Sequence, residues 1–201
     1  MKRLFIVSLL LLSVGLSQNR VNVNNLVNYG DKYFKENDDR PFDGLVFDLS
    51  KKTGNKILEF RMVNGLKNGL YQEWYTDGKP KLKGKYLNEI QNGKWIFWYE
   101  NEQKEKDGIY KDDKEDGLWT EWYENGQKKY EDIYKDGKQD GLFIKWYDNG
   151  KKRREGTFED GKKEGFWTRW YENGDKTLEG TYKNGKKISE KEWNEDGSVK
   201  E

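Results

Sequence analysis

A glycine recurs at intervals of 24 residues through the middle of the chain, and the same aromatic residues accompany it each time. The glycines are Gly69, Gly93, Gly117, Gly141 and Gly165. The second residue after each of them is aromatic: Tyr71, Trp95, Trp119, Phe143 and Trp167. A Trp-Tyr pair follows in every copy: Trp74-Tyr75, Trp98-Tyr99, Trp122-Tyr123, Trp146-Tyr147 and Trp170-Tyr171. Self-similarity at one period predicts a repeat architecture in which every copy folds as the same small unit.

Each repeat contains two turn signals, and these decide between helix and strand. The first follows the Trp-Tyr pair: Asp77-Gly78, Asn125-Gly126, Asn149-Gly150 and Asn173-Gly174. The second lies later in the repeat: Asp136-Gly137, Asp160-Gly161 and Asn184-Gly185. Such dipeptides favour two-residue type I′ hairpin turns, in which both central residues take positive φ. The sequence therefore predicts an all-β, elongated antiparallel meander of tandem β-hairpins, and it excludes a helix of ordinary length within the repeats.

Two-residue loops at both turns would also set which residues lie opposite each other. Counting outward from the first turn gives these pairs: Trp119 and Asp132, Trp95 and Gly108, Trp167 and Gly180. Counting through the second turn gives two more: Gly108 and Gly117, Gly156 and Gly165. The predicted row is aromatic, Gly, Gly, so that one ring lies over two strands that have no side chain there. Because the Trp and Tyr of each pair are adjacent, either both faces of the sheet carry rings or a bulge intervenes.

Composition alone would suggest a disordered chain, because 37% of the residues are charged and only 33% are hydrophobic. Aromatic residues make up 15% of the chain, and each ring can bury roughly 150–250 Å². A fourth ring position recurs with the period: Tyr86, Tyr110, Tyr134, Phe158 and Tyr182. We therefore expect the repeated rings to serve mainly as the core, with some of them available for binding.

The balance of charges and the missing residue types exclude several classes of function. Lys and Arg number 38 against 37 Asp and Glu, so no net field attracts the chain to nucleic acid. The absence of Cys and His leaves no Ser-His or Cys-His nucleophile and no common zinc site. The acidic cluster Asp112-Asp113 with Glu115-Asp116 does not have the spacing of a calcium loop. We predict no enzyme activity, no catalytic residue, no cofactor and no metal site.

The N-terminal residues have the composition of an export signal. Lys2 and Arg3 precede an apolar run over residues 4–12, which predicts a signal peptide over residues 1–17. The alternative, a transmembrane anchor, needs about 17–25 apolar residues, and this run is shorter. The mature protein is therefore predicted to be exported, to the periplasm or outside the cell, and to keep no stable transmembrane segment.

The remaining boundaries follow from where the period begins and ends. They are residues 18–40 for an N-terminal cap segment, 41–68 for a divergent first repeat, 69–188 for five hairpin repeats and 189–201 for a truncated capping repeat. Within the cap segment, Leu26 to Phe34 is a candidate for a short helix that covers the first edge strand.

The repeat resembles the MORN repeat, in the variant of bacterial proteins often labelled YwqK-type antitoxins. The resemblance rests on Gly-x-Trp-x-x-Trp-Tyr-x-x-Asn-Gly-x-Lys, followed by Glu-Gly-x-Tyr-x-x-Gly-Lys-x-x-Gly, and it covers about Phe42 to Trp193. It implies a scaffold for protein or membrane contacts, and the antitoxin label implies a partner toxin.

We therefore expect an exported scaffold that binds a protein partner, and two alternatives stay open. One is the binding of a cell-envelope glycan or a membrane surface, and the other is pairing with a toxin. The burial of the Trp in each Trp-Tyr pair distinguishes a protein binder from a glycan binder. A buried Trp provides no platform for a sugar ring, whereas a Trp that lines an open groove does.

Overall fold

The computed structural model of the protein describes residues 19–200, and the predicted signal peptide lies outside them. In chain order the elements are β1 (Arg20–Asn22), a 3₁₀ helix (Val23–Asn25), β2 (Leu26–Tyr29), β3 (Lys32–Lys35), β4 (Gly44–Leu49), β5 (Lys56–Val63), β6 (Leu66–Trp74), β7 (Pro80–Leu87), β8 (Ile90–Gln91), β9 (Gly93–Trp98), β10 (Lys104–Lys111), β11 (Lys114–Trp122), β12 (Lys128–Lys135), β13 (Lys138–Trp146), β14 (Lys152–Glu159), β15 (Lys162–Trp170), β16 (Lys176–Lys183) and β17 (Lys186–Glu192). Within this range no helix has the length and apolar character needed to cross a membrane.

Fifteen of these strands form one open sheet, and β2 pairs with β3 in a separate two-stranded sheet. From β4 to β17 neighbouring strands are antiparallel and follow the order of the chain, with the short β8 beside β7. The edge strand β1 differs, because it runs parallel to β4. The all-β meander of consecutive hairpins that the repeats predict is confirmed.

The first turn of each repeat is one residue longer than predicted. In the third repeat the Tyr123 N–H donates to the Gln127 carbonyl at 2.8 Å, and the Gly126 N–H donates to the Tyr123 carbonyl at 2.9 Å. Only Gly126 has a positive φ, of 83°. The Asn125 side chain instead accepts from the Gln127 N–H at 2.9 Å. The type I′ prediction was wrong here, because that side-chain bond holds Asn125 outside the left-handed region.

The second turn is the two-residue loop that the sequence predicts. Asp136 and Gly137 have φ values of 50° and 83°, and Lys135 pairs directly with Lys138 across the loop. Asn184 and Gly185, at 50° and 78°, form the same turn in the last full repeat. Positive φ at both central positions is the type I′ conformation.

The pairing predicted from the first turn is confirmed, although the loop is longer. The observed pairs are Trp119 with Asp132, Trp95 with Gly108, and Trp167 with Gly180. A bulge restores the register. Trp122 pairs with Lys128 and Glu121 pairs with Tyr130, so Lys129 is the extra residue. The extra residue in the loop and the extra residue in the strand offset each other, so the strands pair in the predicted register beyond the bulge.

The pairing predicted from the second turn was wrong. Next to the turn Ile109 pairs with Asp116, but beyond it Asp107 pairs with Thr120, a shift of two residues. The shift includes Gly117, whose φ of 74° lies in the region that favours glycine. All the repeat glycines have positive φ: Gly69 at 112°, Gly93 at 85°, Gly117 at 74°, Gly141 at 143° and Gly165 at 65°. Gly108 and Gly156 therefore do not lie opposite Gly117 and Gly165.

The candidate N-terminal helix from Leu26 to Phe34 is also corrected. These residues form the hairpin of β2 and β3, in which Tyr29 pairs with Lys32. Gly30 has a φ of 67° in the turn between the strands, a conformation that ends a right-handed helix. The segment packs beside an apolar core of the sheet made by Val21, Phe42, Val46, Phe60 and Met62, with Leu26 and Tyr33 against it.

The last repeat is shortened by one residue, as its sequence indicates. Thr181 pairs with Ser189 and Tyr182 pairs with Lys187, a shift of one residue where the other repeats shift by two. Ser189 stands at the glycine position, and the smaller shift accommodates Trp193, which comes one residue early.

Candidate functional site

One face of the sheet carries the first aromatic residue of every repeat, and we call it the ladder face. Its defining residues are Tyr71, Trp95, Trp119, Phe143 and Trp167. Trp95, Trp119 and Trp167 are only 1%, 0% and 2% exposed, so these rings are core and offer no surface to a ligand. The fourth ring meets them edge-on in four repeats, at Tyr86, Tyr110, Phe158 and Tyr182; the Tyr110 and Trp119 centroids, for example, are 4.9 Å apart.

Each buried Trp lies against a glycine of the preceding strand. A Cβ atom at Gly84, Gly108 or Gly156 would stand 2.1–2.2 Å from the ring of Trp95, Trp119 or Trp167, respectively. The sequence predicted a ring packed over glycines, but with the ring on the strand that precedes the glycine-bearing strands. The two-residue shift at the second turn brings the ring from the strand that follows instead.

Cationic side chains lie over two of the three buried Trp rings. Lys106 Nζ lies 4.3 Å from the centroid of Trp119. Over Trp167 the Arg154 guanidinium lies at 4.4 Å and Lys163 Nζ at 5.0 Å. The outer surface of the ladder face is therefore charged, although its core is aromatic.

The Tyr of each Trp-Tyr pair joins its repeat to the next. Its hydroxyl donates to the backbone carbonyl of the following Trp; the Tyr123 hydroxyl, for example, lies 2.9 Å from the Trp146 oxygen. The other donors are Tyr75 to Trp98, Tyr99 to Trp122, Tyr147 to Trp170 and Tyr171 to Trp193, at 2.6–2.9 Å. The pair is thus a structural link between repeats, and its two rings point to opposite faces beside the bulge.

The Trp of each Trp-Tyr pair is neither buried nor open. Trp74, Trp98, Trp122, Trp146 and Trp170 are all half-buried. Lysine ammonium groups lie over three of these rings, at 4.4 Å for Lys56 over Trp74, 5.2 Å for Lys104 over Trp122 and 5.8 Å for Lys128 over Trp146. A ring face that a lysine covers is not a free platform for a sugar.

The face opposite the ladder face carries a line of exposed apolar side chains, and we call it the leucine face. The residue after each repeat glycine defines it: Leu70, Leu118, Leu142 and Phe166, with Lys94 in the second repeat. These apolar side chains are 48%, 53%, 44% and 82% exposed. Ile109 and Ile133 lie in the same line, since Lys94 pairs with Ile109 and Leu118 with Ile133.

A buried carboxylate interrupts the ladder at the third repeat. Asp132 occupies the place of the glycines and is 1% exposed. Gln139 donates to its Oδ2, whereas its Oδ1 is buried with no partner. Burial raises the pKa of Asp132, and the hydrogen bond from Gln139 opposes that rise. The ring that follows is the smaller Phe143 and not a Trp, which leaves room for the side chain.

The ladder face changes in charge beyond this interruption. Lys145 pairs with Arg154 across β13 and β14, and Arg154 pairs with Arg169 across β14 and β15. With Arg153, these residues line a cavity of about 180 Å³. Among residues 19–200 no carboxylate forms an ion pair with any of the four; all sixteen pairs involve other residues. We call these four residues the cationic row.

The cationic row is not among the features predicted from the sequence. Its members are distributed over three strands, and only the register places them side by side. A signal was nevertheless present, because the fourth residue after the repeat glycine changes along the array: Glu73, Phe97, Glu121, Lys145 and Arg169. Comparing the repeats position by position exposes this change of sign, whereas the overall composition averages it away.

Candidate metal-binding residues are not brought together in the described part of the chain. Residues 19–200 hold no group of three or more Asp or Glu side chains arranged to bind a metal ion. The acidic stretch at Asp112-Asp113 forms the turn between β10 and β11, where Asp113 Oδ1 accepts from the Gln91 N–H at 2.6 Å. These carboxylates have a structural role in the turn.

The hairpins match a known repeat family. A family model described as a MORN repeat variant matches residues 67–88, 115–136, 139–160 and 163–184. These segments coincide with the hairpins β6–β7, β11–β12, β13–β14 and β15–β16. The hairpin β9–β10 lies outside the matches; there Glu102 replaces the glycine of the first turn and has a φ of 67°. No curated protein matches the chain.

Proposed function

The chain is a MORN-type repeat protein, and we propose that it is an interaction scaffold that binds a protein partner through its leucine face. Repeats of this type are commonly protein-interaction or membrane-interaction modules. The observation that carries the proposal is the line of exposed apolar side chains. A contiguous exposed apolar patch with polar surroundings is typical of an interaction surface. Elsewhere on a protein surface, exposed apolar side chains are scattered singly.

The dimensions of the line suit a protein partner. It extends from Leu70 on β6 to Phe166 on β15, and strands are about 4.8 Å apart, so it measures roughly 40 Å. Phe166 is the most exposed apolar residue, at 82%, and aromatic side chains commonly anchor interfaces. The tyrosine bonds between successive repeats hold the line in place before binding, which reduces the entropy that a partner must offset.

Charge on the same face favours a protein over a membrane surface. The row beside the apolar line contains Asp107, Glu131 and Glu155, and each is neutralised by the lysine three residues before it. Such balanced pairs supply no excess of positive charge to attract anionic lipid. The lysines over the Trp rings of this face likewise disfavour a glycan platform. The location predicted by residues 1–17, outside the cytoplasm, is part of the proposal.

A capture experiment with matched variants tests this function. The mature chain is immobilised and exposed separately to envelope extract, cytosolic extract and purified peptidoglycan from the source organism. The stripe variant combines Leu118→Ser, Leu142→Ser and Phe166→Ser. The control variant combines Tyr29→Ser, Leu49→Ser and Val199→Ser, which are similarly exposed but lie outside the line.

We expect envelope proteins to be retained by the wild-type chain and the control, and to be lost with the stripe variant. Equal retention by all three chains would refute the role of the leucine face. Retention of peptidoglycan alone would replace the proposal with glycan binding. A stoichiometric partner found only in cytosolic extract would overturn the exported location and favour an antitoxin-like pairing.

A further inference from the structure

The cationic row is a departure from the pattern that the protein uses elsewhere on the ladder face. In the first repeat Glu73 holds the bulge residue Lys81 in an ion pair of 3.1 Å. In the third repeat Glu121 holds Lys129 in the same way. In the fourth repeat Arg153 occupies the bulge, but Lys145 occupies the carboxylate position. The internal counterion of this repeat is therefore missing.

The missing counterion leaves like charges in direct contact across strands. Lys145, Arg154 and Arg169 are successive cross-strand partners, an arrangement that destabilises a sheet when nothing neutralises it. Glu121 and Glu190, whose charges act on Lys145 and Arg169, are already engaged by Lys129 and Lys187 respectively. A structure that keeps such a row without a counterion is better explained by a ligand than by stability.

The row is also fixed in position. The Arg154 guanidinium stacks over Trp167 at 4.4 Å, and its Nε is buried with no hydrogen-bond acceptor. Burial and then the neighbouring Arg169 lower the pKa of Arg154, and burial and then Arg153 lower the pKa of Lys145. Each group would thus gain from a nearby negative charge. The four side chains together line a cavity of about 180 Å³.

We propose that the cationic row binds the carboxylates of an acidic segment of the protein partner, a segment that reaches around the sheet because the row lies on the face opposite the leucine face. The inference rests on the proposed function, because it assumes a protein partner and specifies one part of its surface. The group missing from this repeat is a carboxylate, and an incoming Glu or Asp side chain would restore the pair found at Glu73 and Glu121. Alternate side chains of an extended peptide are about 6.6–6.8 Å apart, so two of them can reach across three adjacent strands.

An oligo-glutamate peptide with a fluorescent label tests the inference, with binding to the full mature chain followed by anisotropy. We expect saturable binding that weakens as salt is added, since the contacts are charge pairs near the surface. The variant Lys145→Glu restores the carboxylate of the sister repeats, and it should weaken binding by about tenfold or more. The control Lys85→Glu makes the same charge change on the leucine face and should weaken binding by less than about twofold.

Further measurements make every outcome decisive. The melting temperature of Lys145→Glu should equal or exceed that of the wild-type chain, so a loss of binding is not a loss of folding. Equal weakening by Lys145→Glu and Lys85→Glu would overturn the inference. So would tighter binding of inorganic phosphate or of anionic phosphatidylglycerol vesicles than of the peptide. If the peptide does not bind but the stripe variant still loses its partner, the acidic segment is disproved while the proposed function stands.

Discussion

Trp119 and Trp167 occupy the same position in two repeats, and the charges that lie over them differ. Both rings are buried against a glycine of the preceding strand, Gly108 and Gly156. Over Trp119 the covering Lys106 is paired with Glu115 at 3.0 Å. Over Trp167 the covering groups, Arg154 and Lys163, have no carboxylate within ion-pair distance among the described residues. The repeat thus specifies the packing of ring on glycine, and the charges above that packing are free to vary.

The contrast between the repeated packing of ring on glycine and the variable charges above it has a functional consequence. Packing in the core cannot change without a cost in stability, so the differences between repeats accumulate among the outer side chains. In the Trp119 region the charged side chains are paired within the protein, so they are not available to a ligand. The Trp167 region leaves them available, which is the property expected of a binding surface.

The strongest test of the shared packing is the substitution Gly156→Ala. The added Cβ would stand 2.1 Å from the Trp167 ring, and the ring cannot move aside because it is enclosed. We expect the free energy of unfolding to fall by about 3 kcal/mol or more, measured by denaturant unfolding. Gly108→Ala should have the same effect, since its Cβ would also stand 2.1 Å from a Trp ring.

Gly180→Ala is the matched control for these substitutions. Gly180 pairs with Trp167, but no ring of the next strand lies against it, and the nearest atom to an added Cβ is the Ser189 carbonyl oxygen at 3.0 Å. Its effect should be clearly smaller, about 1 kcal/mol. Equal losses from Gly180→Ala and Gly156→Ala would show that glycine matters here for some reason other than the ring.

Much of this packing can be predicted from the sequence, and the failures have identifiable causes. The period, the rings and the second turn depend on local patterns, so the type I′ turn at Asp136-Gly137 is predicted correctly. The pairing of Trp119 with Asp132 is also correct, but only because the bulge at Lys129 offsets the longer first loop. The two-residue shift in strand pairing at Gly117 does not follow from a local pattern. The sequence does not distinguish a glycine that takes a positive φ from a glycine that packs beneath a ring. Leu26 to Phe34 is a candidate helix in the sequence, but Gly30 takes a positive φ in a turn between two strands.

The candidate site is less predictable than the fold. The apolar line follows from the period alone, since Leu118, Leu142 and Phe166 share one repeat position. To predict the cationic row, the strand register across three strands must be known. The bulge that turns Arg153 towards Lys145 has no sequence signature. Charge averaged over the chain conceals it.

The carboxylate between the two regions provides a test of intermediate size. Burial raises the pKa of Asp132 above the ordinary value of 3.8, so the folded protein binds its proton more tightly than the unfolded chain does. Between 3.8 and the raised value stability must therefore fall as the pH rises. Asp132→Asn removes the buried charge, and it should stabilise the protein at neutral pH by about 1 kcal/mol, the usual size of a single-site effect, measured by thermal unfolding.

The pH dependence distinguishes the charge from the shape of this side chain. The advantage of Asp132→Asn should shrink as the pH falls towards 3.8, because the wild-type carboxyl is then protonated and neutral as well. Asp136→Asn, the same change of side chain in an exposed turn, is the control. An advantage of constant size across the pH range would contradict the assignment of the cost to the buried charge.

The smallest expected effect comes from giving the Trp119 region the charge of the Trp167 region. Glu121→Lys removes the ion pair with Lys129 and places a like charge opposite Lys106. The loss of stability should be only about 0.5–1 kcal/mol, because the groups are partly exposed, and added salt should reduce it. The same substitution should extend the cationic row by one repeat and strengthen oligo-glutamate binding. The control Glu131→Lys removes an ion pair on the leucine face and should cost a similar amount of stability without any gain in peptide affinity. If both substitutions strengthened binding equally, the peptide would be responding to net charge, and the two regions would not differ in the way that their structures indicate.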